Sequence, residues 1–141
     1  MPQDGGARRR AGEFLLRVHA DLRRDLSALR VDLAAARAGG RPLPHGLAVE
    51  LGRRCLTACT ALRGHHVNED GGFDTFLRDL PDLAPVLDRL RAEHRQVAAA
   101  LARIAEAPTD RLDEFETLVG EIEDHFAYEE STLVPALLAE L

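Results

Sequence analysis

The chain has 141 residues, and 18 Arg with no Lys set against 24 Asp and Glu give a formal net charge of −6 at neutral pH. That balance argues against a generic binder of nucleic acid or of an anionic membrane surface. The length fits one domain, and 45% apolar residues beside 30% charged ones can bury a real core, which excludes a disordered chain and a metal-dependent mini-domain. Aromatic residues make up only 4%, while Leu and Ala dominate the apolar set, so the composition favours an all-α fold.

The apolar runs are broken by Arg, Asp or Glu every few residues, and no segment is expected to cross a bilayer. The opening MPQDGGARRRAGEF lacks the apolar stretch of a secretory signal. Cys55 and Cys59 stand four apart in one helical pattern and do not suit a disulfide framework. A reducing cytoplasm is the expected compartment. The Arg8-Arg9-Arg10 run reads as a solvated arm.

Residues 1–8 are expected to form a flexible arm, and residues 9–141 the bundle domain. Leu15, His19, Leu22, Leu26, Leu29 and Leu33 follow the helical 4,3 alternation and predict a helix over about 9–38, stopped by Gly39-Gly40 and a loop holding Pro42, Pro44 and a surface His45. Leu47, Leu51, Cys55, Ala58, Leu62, His65 and Glu69 predict a second helix over about 46–70, ending at Asp70-Gly71-Gly72. Residues 71–82 read as a connection whose Phe73 and Phe76 could tuck against the end of the bundle. Asp82 is a plausible N-cap for a third helix over about 83–106, carried by Leu83, Leu87, Leu90, His94, Val97, Leu101 and Ile104. Pro108, Thr109 and Asp110 form a turn and cap, and Phe115, Leu118, Ile122, His125, Glu129, Leu133 and Ala136 make the fourth stripe, which Pro135 is expected to disturb or end. Four stripes without a strand signal predict an up-down-up-down four-helix bundle.

His19, His65, His94 and His125 occupy core-stripe positions, one in each helix. Glu69 and Glu129 lie four residues after His65 and His125, so they share the inward faces. A rise of about 1.5 Å per residue puts His19 and His65 about 28 Å above their common loop, and His94 and His125 roughly 18 and 22 Å above theirs, so each pair matches in height within a turn. A lone inward His is ordinarily a core residue bonded to a backbone carbonyl. Four imidazoles and two carboxylates together in a Leu/Ala core would cost several kcal/mol in desolvation without a partner. A pair of cations bridged by the carboxylates supplies one. Imidazole and carboxylate donors without thiolate suit iron, with manganese or zinc less favoured; Cys55 and Cys59, about ten and six residues below His65, are too far away to join.

The pattern His19, His65-His66-Val67-Asn68-Glu69, Glu93-His94 and His125-Phe126-Ala127-Tyr128-Glu129-Glu130 resembles the hemerythrin-like, or HHE cation-binding, domains over nearly the whole chain. The resemblance implies a four-helix bundle holding two non-haem iron ions with an oxo or hydroxo bridge, with His19, His65, His94 and His125 as ligands and Glu69 and Glu129 as bridges. The oxygen-carrying hemerythrins have HxxxH on the third helix, whereas here Ala98 stands four after His94. His66 could replace the missing imidazole, or water or an exogenous ligand could fill the position. The stripe favours Glu129, and the carrier-type spacing favours Glu130 as the alternative. Asp70 reads as a solvated acid or one standing behind the ligands. Tyr128 is either a hydrogen-bond donor near the site or a helix-flank residue with its hydroxyl in water. The ExxH pairs of a ferritin-like site are absent.

The set H, HxxxE, H, HxxxE is similar to bacterial, especially actinobacterial, hemerythrin-like proteins, which implies a catalase- or peroxidase-like reaction with hydrogen peroxide or dioxygen. The alternatives are a non-enzymatic iron or oxygen binder used in sensing, and a di-iron oxidase or oxygenase of an organic substrate. The expected ligand is small (peroxide, dioxygen or a nitrogen oxide), with neither nucleic acid nor membrane as partner.

Overall fold

The computed structural model describes residues 3–38 and 43–139, the first three of them by backbone alone. Four helices account for most of these residues: α1 (Gln3–Arg37), α2 (His45–Asp79), α3 (Ala84–Glu106) and α4 (Leu112–Leu138), with a 3-10 turn at Pro81–Leu83 leading into α3. Each helix packs against its two neighbours in a ring, α1 on α2 and α4, and α3 on α2 and α4. No helix among the described residues is long and apolar enough to cross a membrane.

The core is divided. The larger apolar cluster joins Leu22, Leu26, Leu29 and Leu33 of α1 to Leu51, Cys55, Cys59 and Leu62 of α2, Val97, Leu101 and Ile104 of α3, and the α4 run from Leu112 to Phe126. The smaller holds Leu15, Phe73, Leu83, Leu87, Leu90, Leu133, Val134 and Leu137. The smaller cluster draws on the N-terminal parts of α1 and α3 and the C-terminal parts of α2 and α4, so successive helices run antiparallel, and the bundle is all-α and up-down-up-down. The inward His and Glu singled out above fall in the sequence interval between the two clusters, except His125, which stands at the edge of the larger one beside Phe126.

The stripes place the helices, but their ends differ. Helix α1 begins at Gln3 instead of residue 9, so residues 3–8 are helical where an arm was expected; residues 1 and 2 lie outside the described residues. Arg8 is buried there, its Nη1 3.5 Å from Asp79. The Gly39-Gly40 stop and Pro42 also lie outside the described residues. Helix α2 runs through Gly71-Gly72 to Asp79. Two helical glycines cost roughly 1 kcal/mol each, which the burial of Phe73, fully enclosed in the smaller cluster, offsets by about 2–3 kcal/mol. Leu47 is exposed and Ala48 turns inward in its place.

Neither predicted cap forms. Asp82 sits in the 3-10 turn, and α3 starts behind Leu83 with no side-chain cap. Helix α4 starts behind Arg111, also uncapped, two residues after Thr109. Pro135 lies inside α4, which continues to Leu138. Its ring is on the exposed face, as is Ser131, whose carbonyl loses the helical bond, while Leu133, Val134 and Leu137 keep the last turns anchored.

Candidate metal centre

The layer between the two apolar clusters contains His19, His65, His66, Glu69, His94, His125 and Glu129, all buried. They form two groups of mutually close donor atoms: His66, Glu69, His94 and His125, and His19, His65, Glu69 and Glu129. Glu69 belongs to both.

Across the layer, His19 Nε2 lies 3.2 Å from His65 Nε2, and His94 Nε2 lies 3.1 Å from His125 Nε2. Glu69 Oε1 is 3.1 Å from His65 Nε2 and 3.4 Å from His94 Nε2. Glu129 turns one oxygen to each side, Oε1 3.4 Å from His19 Nε2 and Oε2 3.5 Å from His125 Nε2. His66 stacks on His94, with ring centroids 4.0 Å apart.

These groups converge without satisfying one another. His66 Nε2 and all four carboxylate oxygens of Glu69 and Glu129 are buried and make no hydrogen bond. Such orphans cost about 1–3 kcal/mol each when nothing else meets them. Five imidazoles and two carboxylates are a nitrogen and oxygen donor set of the kind iron takes. With metal–ligand bonds of about 2.1 Å, neighbouring donors on one ion stand about 3.0–3.4 Å apart, the spacing seen here. The residues fit a metal.

The outward nitrogens are fixed from behind. His19 Nδ1 donates to Glu130 at 2.9 Å, His94 Nδ1 to Asp70 at 2.8 Å and His125 Nδ1 to Glu93 at 2.7 Å. Each bond selects the tautomer that leaves Nε2 free to face the layer. Arg23 clamps Glu130 through Nη1 and Nη2, at 2.7 and 2.9 Å, and Arg89 Nε bonds Glu93 at 3.0 Å. Phe126 stacks on His19, ring centroids 4.0 Å apart.

Burial, reinforced by His94 and His125 nearby, pushes His66 down to about 2, so its ring is neutral. Burial and the facing Glu69 carboxylate push Glu129 well up. Burial opposes ionisation of Glu69 too, but contacts from Glu129, His65 and His94 outweigh it and hold this carboxyl well down.

The structure brings together all seven residues of the candidate metal set, with His66 in one donor group with His94. Glu129 lies in the layer and Glu130 behind His19. Tyr128 lies to one side, its ring 3.7 Å beneath the Arg89 guanidinium, whose Nε bonds the Glu93 that holds His125. His45 is exposed at the start of α2, and Cys55 and Cys59 are free and buried in the larger cluster. Sequence reasoning did not single out Arg23, nor the pairing of Glu93 with His125 instead of its neighbour His94. The signal for the latter was available, since adjacent helical residues point about 100° apart.

A family model described as hemerythrin HHE cation binding domain matches residues 10–137. Compared with curated proteins and with solved structures, the chain shows no match.

Proposed function

The chain belongs to the hemerythrin HHE cation-binding family, whose domains bind metal, typically iron, and we propose that its seven buried donors hold two iron ions with an oxo or hydroxo bridge that react with hydrogen peroxide or dioxygen in a catalase- or peroxidase-like manner. The observation that carries this reading is the pair of donor groups sharing Glu69, with five buried donor atoms left unbonded. Bound there, the iron pair supplies two-electron redox chemistry, by which one peroxide is oxidised to dioxygen and a second is reduced to water.

The protein's part is to hold, orient and seal. His66, His94 and His125 serve one position and His19 and His65 the other, while Glu69 and Glu129 reach both. Glu130, Asp70 and Glu93 keep the Nδ1 protons of His19, His94 and His125 in place, so the inward nitrogens stay unprotonated as ligation requires. Phe126 and Phe73, both fully buried, exclude bulk water on either side. Among the described residues, surface recesses of about 140 and 210 Å³ touch site imidazoles. Such volumes suit peroxide, dioxygen or a nitrogen oxide and favour that class over a bulky organic substrate.

The test is metal content and near-ultraviolet absorption of freshly purified protein, followed by oxygen release on adding hydrogen peroxide. About two irons per chain with brisk oxygen release is the expected result. Two irons without release would refute the catalase-like reaction in favour of iron or oxygen binding, and a metal-free protein would refute both.

A further inference from the structure

Two recesses among the described residues that reach the site differ in charge. The one between α3 and α4, against His125, is lined by Glu93, Glu121 and Asp124 around Arg89, and Arg89 is already paired with Glu93. The one between α2 and α3 has His66 and His94 in its wall, Val67, Ala98 and Leu101 as its apolar lining, and Arg63, Arg95 and Asp70 as its charged groups. Arg63 and Arg95 are exposed and form no ion pair or hydrogen bond among the described residues, and Asp70 is engaged by His94 Nδ1. The α3–α4 recess is therefore net negative and the α2–α3 recess net positive, in a chain whose overall charge of −6 repels anions.

We propose that the α2–α3 recess binds small monovalent anions, of the size of azide, nitrite or hydroperoxide, and passes them to the layer beside His66 and His94. The inference rests on the iron reading above for its destination and on the recess alone for its selectivity. A volume of about 140 Å³ accommodates such an ion with some of its water. Two unpaired guanidiniums at the rim concentrate anions locally by through-space attraction, which raises the association rate and makes it fall with salt. Ala98 keeps the space open: a larger side chain four residues after His94 would fill the recess from α3.

The experiment follows azide binding to the iron-loaded protein, with iron content measured beforehand and the anion-to-iron absorption band read by stopped flow at low and high salt. Arg63→Gln with Arg95→Gln is expected to lower the association rate about tenfold at low salt and to abolish most of the salt dependence. Ala98→Phe is expected to slow binding at unchanged iron content, and Gln96→Phe, which plugs the α3–α4 recess, to leave the rate as it was. Unchanged rates in the first two variants, or slowing by Gln96→Phe alone, would overturn the proposal. A second measurement needs no iron: azide titrated into the metal-free protein should shift the methyl resonances of Val67 and Ala98, and should fail to do so in the double Arg variant. That arm separates failure of the anion site from failure of the iron reading. Absence of the shifts in the wild-type chain would refute the site itself.

Discussion

Replacing His66 by Leu gives opposite signs in the metal-free and iron-loaded protein. In the metal-free chain His66 is buried with an unbonded Nε2, a group whose removal relieves about 1–3 kcal/mol. Leu is of similar volume and apolar, but loses the stacking on His94 at 4.0 Å, worth about 0.5–1.5 kcal/mol. The net is a gain of about 1 kcal/mol, or about 3 °C in melting temperature for a chain of this size. In the presence of ferrous iron the order reverses, because ligand binding to the native state stabilises only the chain that keeps the donor. Thermal melts of both chains, with chelator and with ferrous iron, read the two signs directly. A histidine present for structural hydrogen bonding would behave otherwise, its loss being destabilising in both conditions. A melting temperature several degrees lower in chelator, or wild-type iron content in His66→Leu, would refute the reasoning.

Three other outcomes are expected. Glu69 serves both donor groups, so Glu69→Ala should lose both irons and keep its far-ultraviolet helical signal; His94→Ala should likewise lose iron without unfolding, and normal iron content in either variant would count against the assignment. Glu130→Ala frees His19 Nδ1 and leaves Arg23 bonded to Glu123 alone, and should weaken iron about 10–100-fold in competition with a chelator, with helicity unchanged. Burial, helped by Cys59, pushes the Cys55 thiol up to about 12, and burial pushes Cys59 up to about 11. Both should therefore resist a thiol-specific reagent at pH 8 until the chain unfolds. The folded chain disfavours the thiolates, so their contribution to stability is complete below the unfolded thiol value near 9.0 and is lost as pH climbs towards 12; denaturation midpoints at pH 8 and pH 10.5 check the sign.

The interior was legible in the sequence because helical periodicity reports which face is buried. Leu15, His19 and Leu22 in α1, and Leu90, His94 and Val97 in α3, are inward as the 4,3 spacing requires. The same rule brought Glu69 and Glu129 under their histidines. Helix ends were less legible, since they are decided by contacts made far along the chain. Gly71-Gly72 reads as a stop locally, but Phe73 is worth more to the smaller cluster than the glycines cost. The groups behind the ligands were hidden for a related reason: Arg23 and Glu130 are 107 residues apart, and nothing in either segment announces the other. Asp70 was easier, being one turn from His66.

The polar layer also divides the molecule. Every helix leaves one apolar cluster, crosses the donor residues and enters the other, so without cations the two cores are joined by a belt of unmatched imidazoles and carboxyls. Two cations binding seven side chains from all four helices would act there as a rivet. Amide exchange should then show the chelated chain opening in two steps, the Leu87, Leu133 and Leu137 end before the Leu33, Leu101 and Phe115 end, and the loaded chain opening in one. On this view, loading metal sets the cooperativity of the fold as well as its chemistry.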